Sequence, residues 1–459
     1  MHISKRIYDK LFINYGRIRN DIESDILPSI TNQIKQINQI EQNIENKFNI
    51  IKNDNDFLIN KYNELNIIQR KVESLVSKNK VFNDELLLLT QTNKKKILLV
   101  GFYGAPNLGD EIMLKTLFQY LEKKENFELT IMLWENEKYD ISDYPAVNII
   151  HFPRTMYDFN YLAKYFDCVI YGGGAIIDDT FYENENSYKG DLGTILIKLS
   201  ERFLKWNKDV YAIGLSSKAK LTNQEYINKI NTIIKKSKYF SVRDKYSYNT
   251  LINSCGCDEK SIDIISDIII ANKELKYIRK DNKNKISDVG VIWIPYDENL
   301  EKLTELLKNI NKNYSIHLIP FYEYYNFDTI TYTNVLEQNK MKNVIIEKYC
   351  NDIEGICNTL KKCDIIISMR YHGILLSNLL NIPSISICYN NHPHYYNKIK
   401  YLSEVFDDGG IINLSDFNSK NINEIIKNKY KSYKSKEKIV KKMKKSSCKE
   451  ITNIIGNIV

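Results

Sequence analysis

From residue 96 onward, short runs of apolar residues alternate with longer amphipathic segments. This alternation is typical of βαβ units, in which each buried strand of a parallel sheet is followed by a helix. The predicted strands are 97–100, 129–133, 168–171, 210–213, 239–242, 262–265, 289–293, 315–319, 344–346, 364–368 and 384–388, with helices at 110–123, 299–308 and 373–380. We interpret the polar segment 273–287 as a linker. The sequence therefore predicts two α/β domains of similar size, at 94–275 and 286–415.

Residues 1–93 follow a different pattern. Between residues 30 and 76, one heptad register has an apolar residue at every a position, whereas its d positions are mixed; the a positions are Ile30, Ile37, Ile44, Ile51, Leu58, Leu65 and Val72. Seven consecutive apolar a positions predict a long helix that buries one stripe. The segment either joins copies of the chain through a coiled coil or forms a helical hairpin on the α/β body.

Charge and composition argue against a nucleic-acid-binding protein and against a metal site. A net charge of +8 against 27% charged residues is too diffuse for a dedicated nucleic-acid partner. The positive excess lies in residues 416–459, which we predict to form a Lys-rich C-terminal helix. Its lysines either form a solvated face or attract an anionic membrane surface. None of the eight Cys residues has the spacing of a zinc site, so no metal is expected.

The sequence predicts a cytoplasmic protein. No apolar stretch reaches the ~18 residues of a bilayer crossing. The N-terminus becomes polar too soon for a secretory signal. The basic C-terminal segment would allow contact with the inner face of the membrane.

The first motif, ILLVGFYGAPNLGDE at residues 97–111, joins a predicted strand to a helix through a Gly-rich turn. Gly104 and Gly109 would let the backbone approach a ligand near the helix N-terminus. The spacing is not G-x-G-x-x-G, so a dinucleotide site is not indicated. We interpret Asp110 as the cap of the helix rather than as a catalytic acid. Asn107 either holds the turn or contacts substrate.

The second motif, DCVIYGGGAIIDD at residues 167–179, places three glycines after a strand. Gly172, Gly173 and Gly174 either cradle an anion or a sugar or allow tight packing between strand and helix. Asp178 and Asp179 either orient sugar hydroxyls or solvate a loop.

The third motif, FSVRDKYSYNTL at residues 240–251, places Arg243 and Asp244 directly after a strand. In open α/β sheets, ligands bind at the carboxyl ends of the strands. The pair therefore belongs either to the ligand site or to a structural Arg–Asp contact between the domains.

The fourth motif, DIIISMRYHGILLSNLLNIP at residues 364–383, is the most informative. A continuous apolar strand ends in Arg370 and His372, and an apolar helix follows. The guanidinium matches the oxygens of a phosphate or carboxylate, and an imidazole titrates near neutral pH. Both groups are costly to bury without a function, so we interpret them as site residues facing a cleft between the domains. Met369 and Tyr371 are expected to pack.

Together the four motifs resemble those of the polysaccharide pyruvyl transferase family over residues 96–415. The matching residues are Gly104, Asn107, Gly109, Asp110, Glu111, Asp167, Gly172, Gly173, Gly174, Arg243, Asp244, Ser247, Met369, Arg370 and His372. The sequence departs from the family in having Tyr371 where Leu is usual, and in placing Lys398 farther from the last strand. The resemblance implies two Rossmann-like domains in a glycosyltransferase-B-like arrangement.

The resemblance also implies a reaction. Pyruvate would pass from phosphoenolpyruvate to two hydroxyls of a sugar in a cell-surface polysaccharide or its precursor, without a further cofactor, and a lipid-linked acceptor would be typical. We expect Arg370 to bind the donor, His372 to act as general acid/base or electrophilic clamp, and Arg243 or Lys398 to supply the second cation. His392 and His394 are alternatives for the acid/base role.

Two other functions fit the same pattern. The chain could be a nucleotide-sugar glycosyltransferase of the same architecture, with Glu404 as the candidate for binding the nucleotide ribose. It could also be a non-catalytic scaffold that binds glycan through the α/β body.

Overall fold

The computed structural model describes residues 94–122, 126–134, 144, 147–153, 156–183, 191–276, 285–388, 393–407 and 410–459, together with Gln39. The helix predicted for residues 30–76 and its coiled coil therefore lie outside the described residues, apart from Gln39.

The first sheet is parallel throughout, with strand order β3-β2-β1-β4-β5-β6-β7. Its strands are β1 (Lys95–Val100), β2 (Phe127–Leu133), β3 (Asn148–His151), β4 (Cys168–Gly172), β5 (Asp209–Leu215), β6 (Tyr239–Val242) and β7 (Asp263–Ile264). The central strands are continuous apolar runs because helices cover both faces of the sheet. The strand order reverses between β1 and β4, which opens a crevice at their carboxyl ends.

Among the described residues of this domain, five helices accompany the sheet: α1 (Leu108–Leu121), α2 (Met156–Tyr165), α3 (Leu192–Lys205), α4 (Gln224–Lys236) and α5 (Lys245–Cys255). A 3-10 turn, Ile268–Ala271, follows β7. The helices α3, α4 and α5 begin where the side chains of Asp191, Asn223 and Asp244 accept backbone N–H groups of the first turn.

The second sheet repeats the same topology, with strand order β10-β9-β8-β11-β12-β13. Its strands are β8 (Asp288–Ile292), β9 (Ser315–Leu318), β10 (Val344–Ile346), β11 (Ile365–Ser368), β12 (Ser384–Cys388) and β13 (Ile411–Asn413). Its helices are α6 (Asp297–Ile310), α7 (Phe327–Gln338), α8 (Ile353–Lys362), α9 (Tyr371–Leu379) and α10 (Pro393–Phe406). The prediction of a two-domain α/β fold is confirmed.

The C-terminal segment contains two helices, α11 (Ile422–Ser432) and α12 (Glu437–Ile458), where a single helix was predicted for 416–459. The helix α11 packs on α6 of the second domain, whereas α12 returns to the first domain and packs on Ile268–Ala271 and α1. Its buried face includes Val440, Ile451 and Ile455. Within the described residues from 94 onward, the chain thus passes from the first domain to the second and then returns, so that α12 packs on the first domain.

None of the helices in the described ranges combines the length and the apolar composition that crossing a membrane requires.

Candidate functional site

The two domains meet at loops that follow the carboxyl ends of their central strands. The loop after β1 pairs with the loop after β9: the amide of Leu108 donates to the carbonyl of Phe321 at 3.0 Å, and that of Glu323 donates to the carbonyl of Pro106 at 2.8 Å. Asn107 forms an antiparallel bridge with Tyr322 in the same place. Side chains from both domains are therefore held against one another at this edge.

Glu404 makes a second connection between the domains. On α10, it pairs with Lys245 at the start of α5 and accepts a hydrogen bond from the Tyr246 hydroxyl at 3.1 Å. Its carboxylate is thus engaged in holding α10 against α5.

Arg243, Asp267 and His372 form a largely buried network across the domain boundary. The Nη1 atom of Arg243 lies 2.8 Å from the Oδ2 atom of Asp267 and 3.4 Å from the Nε2 atom of His372. The same Asp267 oxygen is 3.6 Å from the His372 Nε2 atom. The Arg243 guanidinium also stacks over the Tyr371 ring, 4.4 Å from its centroid. One carboxylate of the first domain therefore contacts both the guanidinium and the imidazole.

Gly109 and burial define the environment of His372. A Cβ atom on Gly109 would lie 1.7 Å from the Nδ1 atom of His372, so only glycine leaves room for the ring. Burial lowers the pKa of His372 below its ordinary 6.5; the charge of Asp267 raises it, and Arg243 and Lys398 lower it. The imidazole is therefore held largely neutral at neutral pH.

Asp110 and Lys398 bring two more titratable groups to this network. Burial raises the pKa of Asp110 to about 7, although Arg243 and Lys398 lower it. Burial and the nearby Arg243 lower the pKa of Lys398 to about 7, whereas Asp244 and Asp110 raise it. Asp110 belongs to α1 of the first domain and Lys398 to α10 of the second. Both groups can therefore change their charge near neutral pH.

The interpretation of Asp110 as the helix cap is wrong. The helix α1 begins at Leu108, with Asn107 at the cap position and without a capping bond from its side chain. Asp110 is the third residue of the helix, and its Oδ1 atom would lie 3.2 Å from a Cβ atom on Gly174. The turn is instead closed by Glu111, whose Oε1 atom accepts the Gly104 amide at 2.9 Å.

Arg370 takes part in a separate set of contacts. Its Nη2 atom lies 2.6 Å from the Oδ1 atom of Asp328, and its guanidinium lies 5.9 Å from the ring centroid of Tyr322. Asp328 is fully buried and also accepts the amides of Phe321 and Tyr322, both at 2.9 Å. Arg370 precedes α9 in an extended conformation, whereas His372 lies in the first turn of that helix, and the two side chains contact different partners.

The glycines after β4 have two different environments. The Tyr103 hydroxyl donates to the carbonyl of Gly172 at 2.5 Å, and a Cβ atom on Gly173 would lie 2.6 Å from the Met113 sulfur. These two glycines allow tight packing between strand and helix, which is one of the two interpretations of this motif given above. Gly174, at φ +88°, lies beside Asp110. It is the glycine of this loop that adjoins the network.

Three predicted aspartates have structural contacts. The Oδ1 atom of Asp244 accepts the Ser247 amide at 2.7 Å and caps α5. The carboxylate that pairs with Arg243 is therefore Asp267 and not its neighbour in sequence. Asp179 accepts the Asn223 amide at 2.6 Å, and Asp178 accepts the Thr180 amide at 2.8 Å. His392 and the side chain of His394 lie outside the described residues.

Sequence reasoning did not identify Asp267 or Asp328. Asp267 lies two residues after the end of the predicted strand 262–265, so the rule that sites form at strand carboxyl ends could have found it. Asp328 lies in the first turn of α7, and no pattern in the surrounding sequence distinguishes this buried residue from acids on the surface.

A cavity of about 560 Å³ lies away from this network, between the β6–β7 edge and α12. Its lining includes Tyr211, Lys238, Asp263, Glu450 and Asn457. The chemistry of the motifs is at the domain boundary, so we place the candidate site there and not in this cavity.

Comparisons with known proteins agree with the motifs. A family model described as polysaccharide pyruvyl transferase matches residues 107–391, more than half of the chain. None of the curated proteins matches the chain's sequence.

Two solved structures are similar in fold. One is from Listeria monocytogenes and is described as a UDP-N-acetylglucosamine 2-epimerase; it is 12% identical, with a TM-score of 0.51, and the match covers 79% of this chain and 95% of that one. The other is a glycosyltransferase from Rickettsia africae, 13% identical, with a TM-score of 0.51 and coverage of 80% and 98%. At these identities the likeness shows the two-domain α/β fold alone.

Proposed function

Since the chain belongs to the polysaccharide pyruvyl transferase family and is an enzyme of that type, we propose that it transfers pyruvate from phosphoenolpyruvate to two hydroxyls of one sugar. The acceptor would belong to a cell-surface polysaccharide or its precursor. The observation that carries the proposal is the meeting of Arg243, His372 and Lys398, from both domains, with Asp110 and Asp267 at one edge.

The donor requires cationic groups, because phosphoenolpyruvate carries both a phosphate and a carboxylate. The Arg243 guanidinium is a planar fork of donors, and Asp267 accepts from its Nη1 atom. The Nε atom of Arg243 is buried and has no hydrogen-bond partner in the described part of the chain. Lys398 supplies a second charge from the opposite domain. These two groups suit the two anionic ends of the donor.

The reaction moves two hydroxyl protons. Protonation of the methylene carbon of phosphoenolpyruvate makes C2 electrophilic, and the first sugar hydroxyl attacks there. The bond from C2 to the phosphate oxygen then breaks, and the second hydroxyl attacks the same carbon. One hydroxyl proton ends on the new methyl group and the other on the released phosphate. The products are a cyclic ketal and hydrogen phosphate.

His372 and Asp110 suit the proton transfers. A largely neutral imidazole can accept a proton from an attacking hydroxyl. A carboxyl group with a pKa of about 7 is partly protonated at neutral pH and can deliver a proton to the methylene carbon. Gly174 adjoins Asp110: a Cβ atom at this position would lie 3.2 Å from the Asp110 Oδ1 atom, so a side chain there would crowd the acid. Arg370 is engaged by Asp328 and is a weaker candidate for the donor than Arg243.

The test is incubation of the purified enzyme with phosphoenolpyruvate, labelled in its pyruvyl carbons, and a panel of oligosaccharides. We expect the label to appear in a sugar together with an equal amount of inorganic phosphate. The His372→Gln variant should lose turnover by about 100-fold or more, as general catalysis contributes on that order, while its unfolding temperature changes little. Near-normal turnover of this variant would remove His372 from the mechanism.

The rival function is a nucleotide-sugar glycosyltransferase, which the fold also accommodates. Glu404, the candidate for the nucleotide ribose, is instead engaged by Lys245 and Tyr246. Thermal unfolding with each ligand separates the two functions. Stabilisation by phosphoenolpyruvate supports pyruvyl transfer, and stabilisation by UDP or GDP alone supports the rival.

A further inference from the structure

Five aromatic side chains form a continuous cluster beside the domain boundary, which we call the aromatic platform: Tyr296, Tyr322, Tyr324, Tyr325 and Phe327. Tyr322 and Tyr324 are stacked at 6.3 Å between ring centroids, and Tyr324 meets Tyr325 at 4.4 Å. The ring centroid of Phe327 lies 6.1 Å from those of both Tyr322 and Tyr296. The platform therefore extends across the loops that follow β8 and β9.

Two rings of the platform are exposed to solvent. Tyr325 is 83% exposed and Tyr296 is 48% exposed. Tyr325 and Tyr296 lie at the two ends of the cluster and are joined through the part-buried rings of Tyr322, Tyr324 and Phe327. Exposed apolar surface of this kind is a feature of binding surfaces.

The backbone at Tyr325 is strained. Its φ is +54° and that of Asn326 is +56°, in the left-handed region that residues with a Cβ atom rarely adopt. The ring of Tyr325 is too exposed for core packing to account for this conformation. Strain of this kind is found at functional sites, where it positions a side chain for a ligand.

The platform is attached to the candidate active site. Arg370 pairs with Asp328, which accepts the amides of Phe321 and Tyr322 and so holds the loop that carries the three tyrosines. The amide of Leu108 bonds to the carbonyl of Phe321, and the next residue, Gly109, contacts His372. A ligand on the platform would therefore lie close to the network that we assign to the donor.

The chemistry of the platform favours a neutral ligand. The charge of Arg370 is balanced by Asp328, while Arg243 and Lys398 belong to the separate network. The platform presents ring faces, which carry partial negative charge, and phenolic hydroxyls, which donate and accept hydrogen bonds. Sugars have matching features: C–H groups on one face of the ring and hydroxyls at its edge.

We propose that the aromatic platform binds a sugar ring of the acceptor and holds the saccharide for reaction beside His372. This inference rests on the proposed function, because it assigns the acceptor side of the same site. It makes the platform a specificity element and gives Arg370 the role of positioning it through Asp328.

The experiment measures binding of the purified chain to an array of immobilised neutral and acidic oligosaccharides, without phosphoenolpyruvate. We expect the wild type to bind neutral glycans, and Tyr325→Gly and Tyr296→Ala each to weaken this binding about 5- to 10-fold, as the loss of one aromatic contact implies. Glycine adopts the left-handed backbone without strain, so Tyr325→Gly should not unfold at a lower temperature.

Trp206→Ala is the matched control. Trp206 is 45% exposed and directly follows α3, at the ends of the strands opposite the candidate site, so its removal should leave glycan binding unchanged. Failure of the wild type to bind any glycan would overturn the inference, as would equal binding by Tyr325→Gly or an equal loss in Trp206→Ala. Loss of UDP binding in the platform variants would assign the surface to a nucleobase instead.

Steady-state kinetics distinguish a failure of this inference from a failure of the proposed function. If the wild type releases phosphate from phosphoenolpyruvate but the platform variants keep the same KM for the acceptor, the platform assignment is wrong and pyruvyl transfer stands. If the platform variants lose glycan binding but the wild type never releases phosphate, the platform is a glycan site and pyruvyl transfer is wrong.

Discussion

Asp267 connects two candidate site residues, Arg243 and His372. Its Oδ2 atom contacts both Arg243 and His372, while its Oδ1 atom accepts the Ile269 amide at 3.0 Å. Arg243 and His372 keep the pKa of this carboxyl well below its usual range, despite its burial. It therefore stays charged at neutral pH and orients both partners, which makes it a positioning residue.

Replacing Asp267 by Asn should lower kcat and change its pH dependence. The amide oxygen can still accept the Ile269 amide, so the 3-10 turn is retained. Because the charge of Asp267 raises the pKa of His372, its removal should move the limb of the pH–rate profile that reports His372 to lower pH. We expect kcat to fall about 10- to 100-fold, as for other groups that support an acid/base residue.

Asp263→Asn is the control for this variant, since Asp263 is exposed on β7 and lies outside the network. An unchanged pH profile in Asp267→Asn would show that Asp267 is only structural.

Lys398 should make donor binding depend on pH. Its pKa of about 7 means that it loses its charge as the pH rises above neutrality, whereas a bound dianion favours the charged form. The KM for phosphoenolpyruvate should therefore rise between about pH 7 and pH 9 in the wild type. Lys398→Arg should flatten this dependence, because a guanidinium stays charged throughout this range.

Lys398→Met should raise the KM at every pH. A KM that does not change with pH in the wild type, or a Lys398→Met variant with normal KM, would contradict a donor contact at Lys398.

The start of α1 forms one wall of the candidate site. Its first turn carries Gly109 against His372 and Asp110 beside Gly174, and the loop before it bonds to the second domain. The helix thus positions the acid and makes room for the imidazole at the same time.

Gly109→Ala should therefore reduce activity more than stability. The added Cβ atom would lie 1.7 Å from the His372 Nδ1 atom, so the ring must move, while alanine itself suits a helix. We expect kcat to fall about 100-fold, since small displacements of catalytic groups have effects of this size. Phosphate release measures the activity, and thermal unfolding measures the fold.

Gly456→Ala in α12 provides the control. Apart from the backbone of α12 itself, no atom of the described residues lies within 4 Å of a Cβ atom at this position, so alanine should leave activity intact and stabilise the helix by about 1 kcal/mol or less. Normal turnover in Gly109→Ala would show that the position of His372 is not critical.

For the whole molecule, α12 combines an apolar face and a basic face. The buried face packs on the first domain through residues such as Ile451 and Ile455. The opposite face carries exposed lysines at spacings of three and four residues, Lys438, Lys441, Lys442, Lys445 and Lys449. This spacing places them on one side of the helix. These five lysines, the basic stripe, thus face solvent on a helix whose other face packs on the first domain.

This stripe should bind anionic membranes weakly. The Lys442→Gln, Lys445→Gln and Lys449→Gln triple variant should lose sedimentation with vesicles that contain phosphatidylglycerol, since each lysine near such a surface contributes about 1 kcal/mol. Wild-type binding should weaken with added salt and be absent with phosphatidylcholine alone.

The same charge change at Lys235, Lys236 and Lys238, which are exposed on the first domain, is the control and should leave vesicle binding intact. Equal losses in both triple variants would show a general charge effect rather than a docking face.

Much of the fold follows from local patterns. The strands β6, β10 and β12 coincide with the predicted ranges because each is a short apolar run next to a helix. The edge strands β3 (Asn148–His151) and β13 (Ile411–Asn413) were missed, since they are only partly buried and their polar end residues interrupt the apolar pattern. The local sequence also does not predict which domain α12 packs on, because its apolar face would suit either domain.

The sequence by itself determined the family and the two α/β domains, and it singled out Arg243, Arg370 and His372 as candidate site residues, because strand carboxyl ends and the charged residues beside them can be recognised from local pattern. Only the tertiary structure decided that Asp267 joins Arg243 to His372, that Arg370 pairs with Asp328, and that burial moves the pKa values of Asp110 and Lys398 toward neutrality. These are contacts between residues far apart in sequence, and their energies depend on distance and desolvation, which no local pattern encodes.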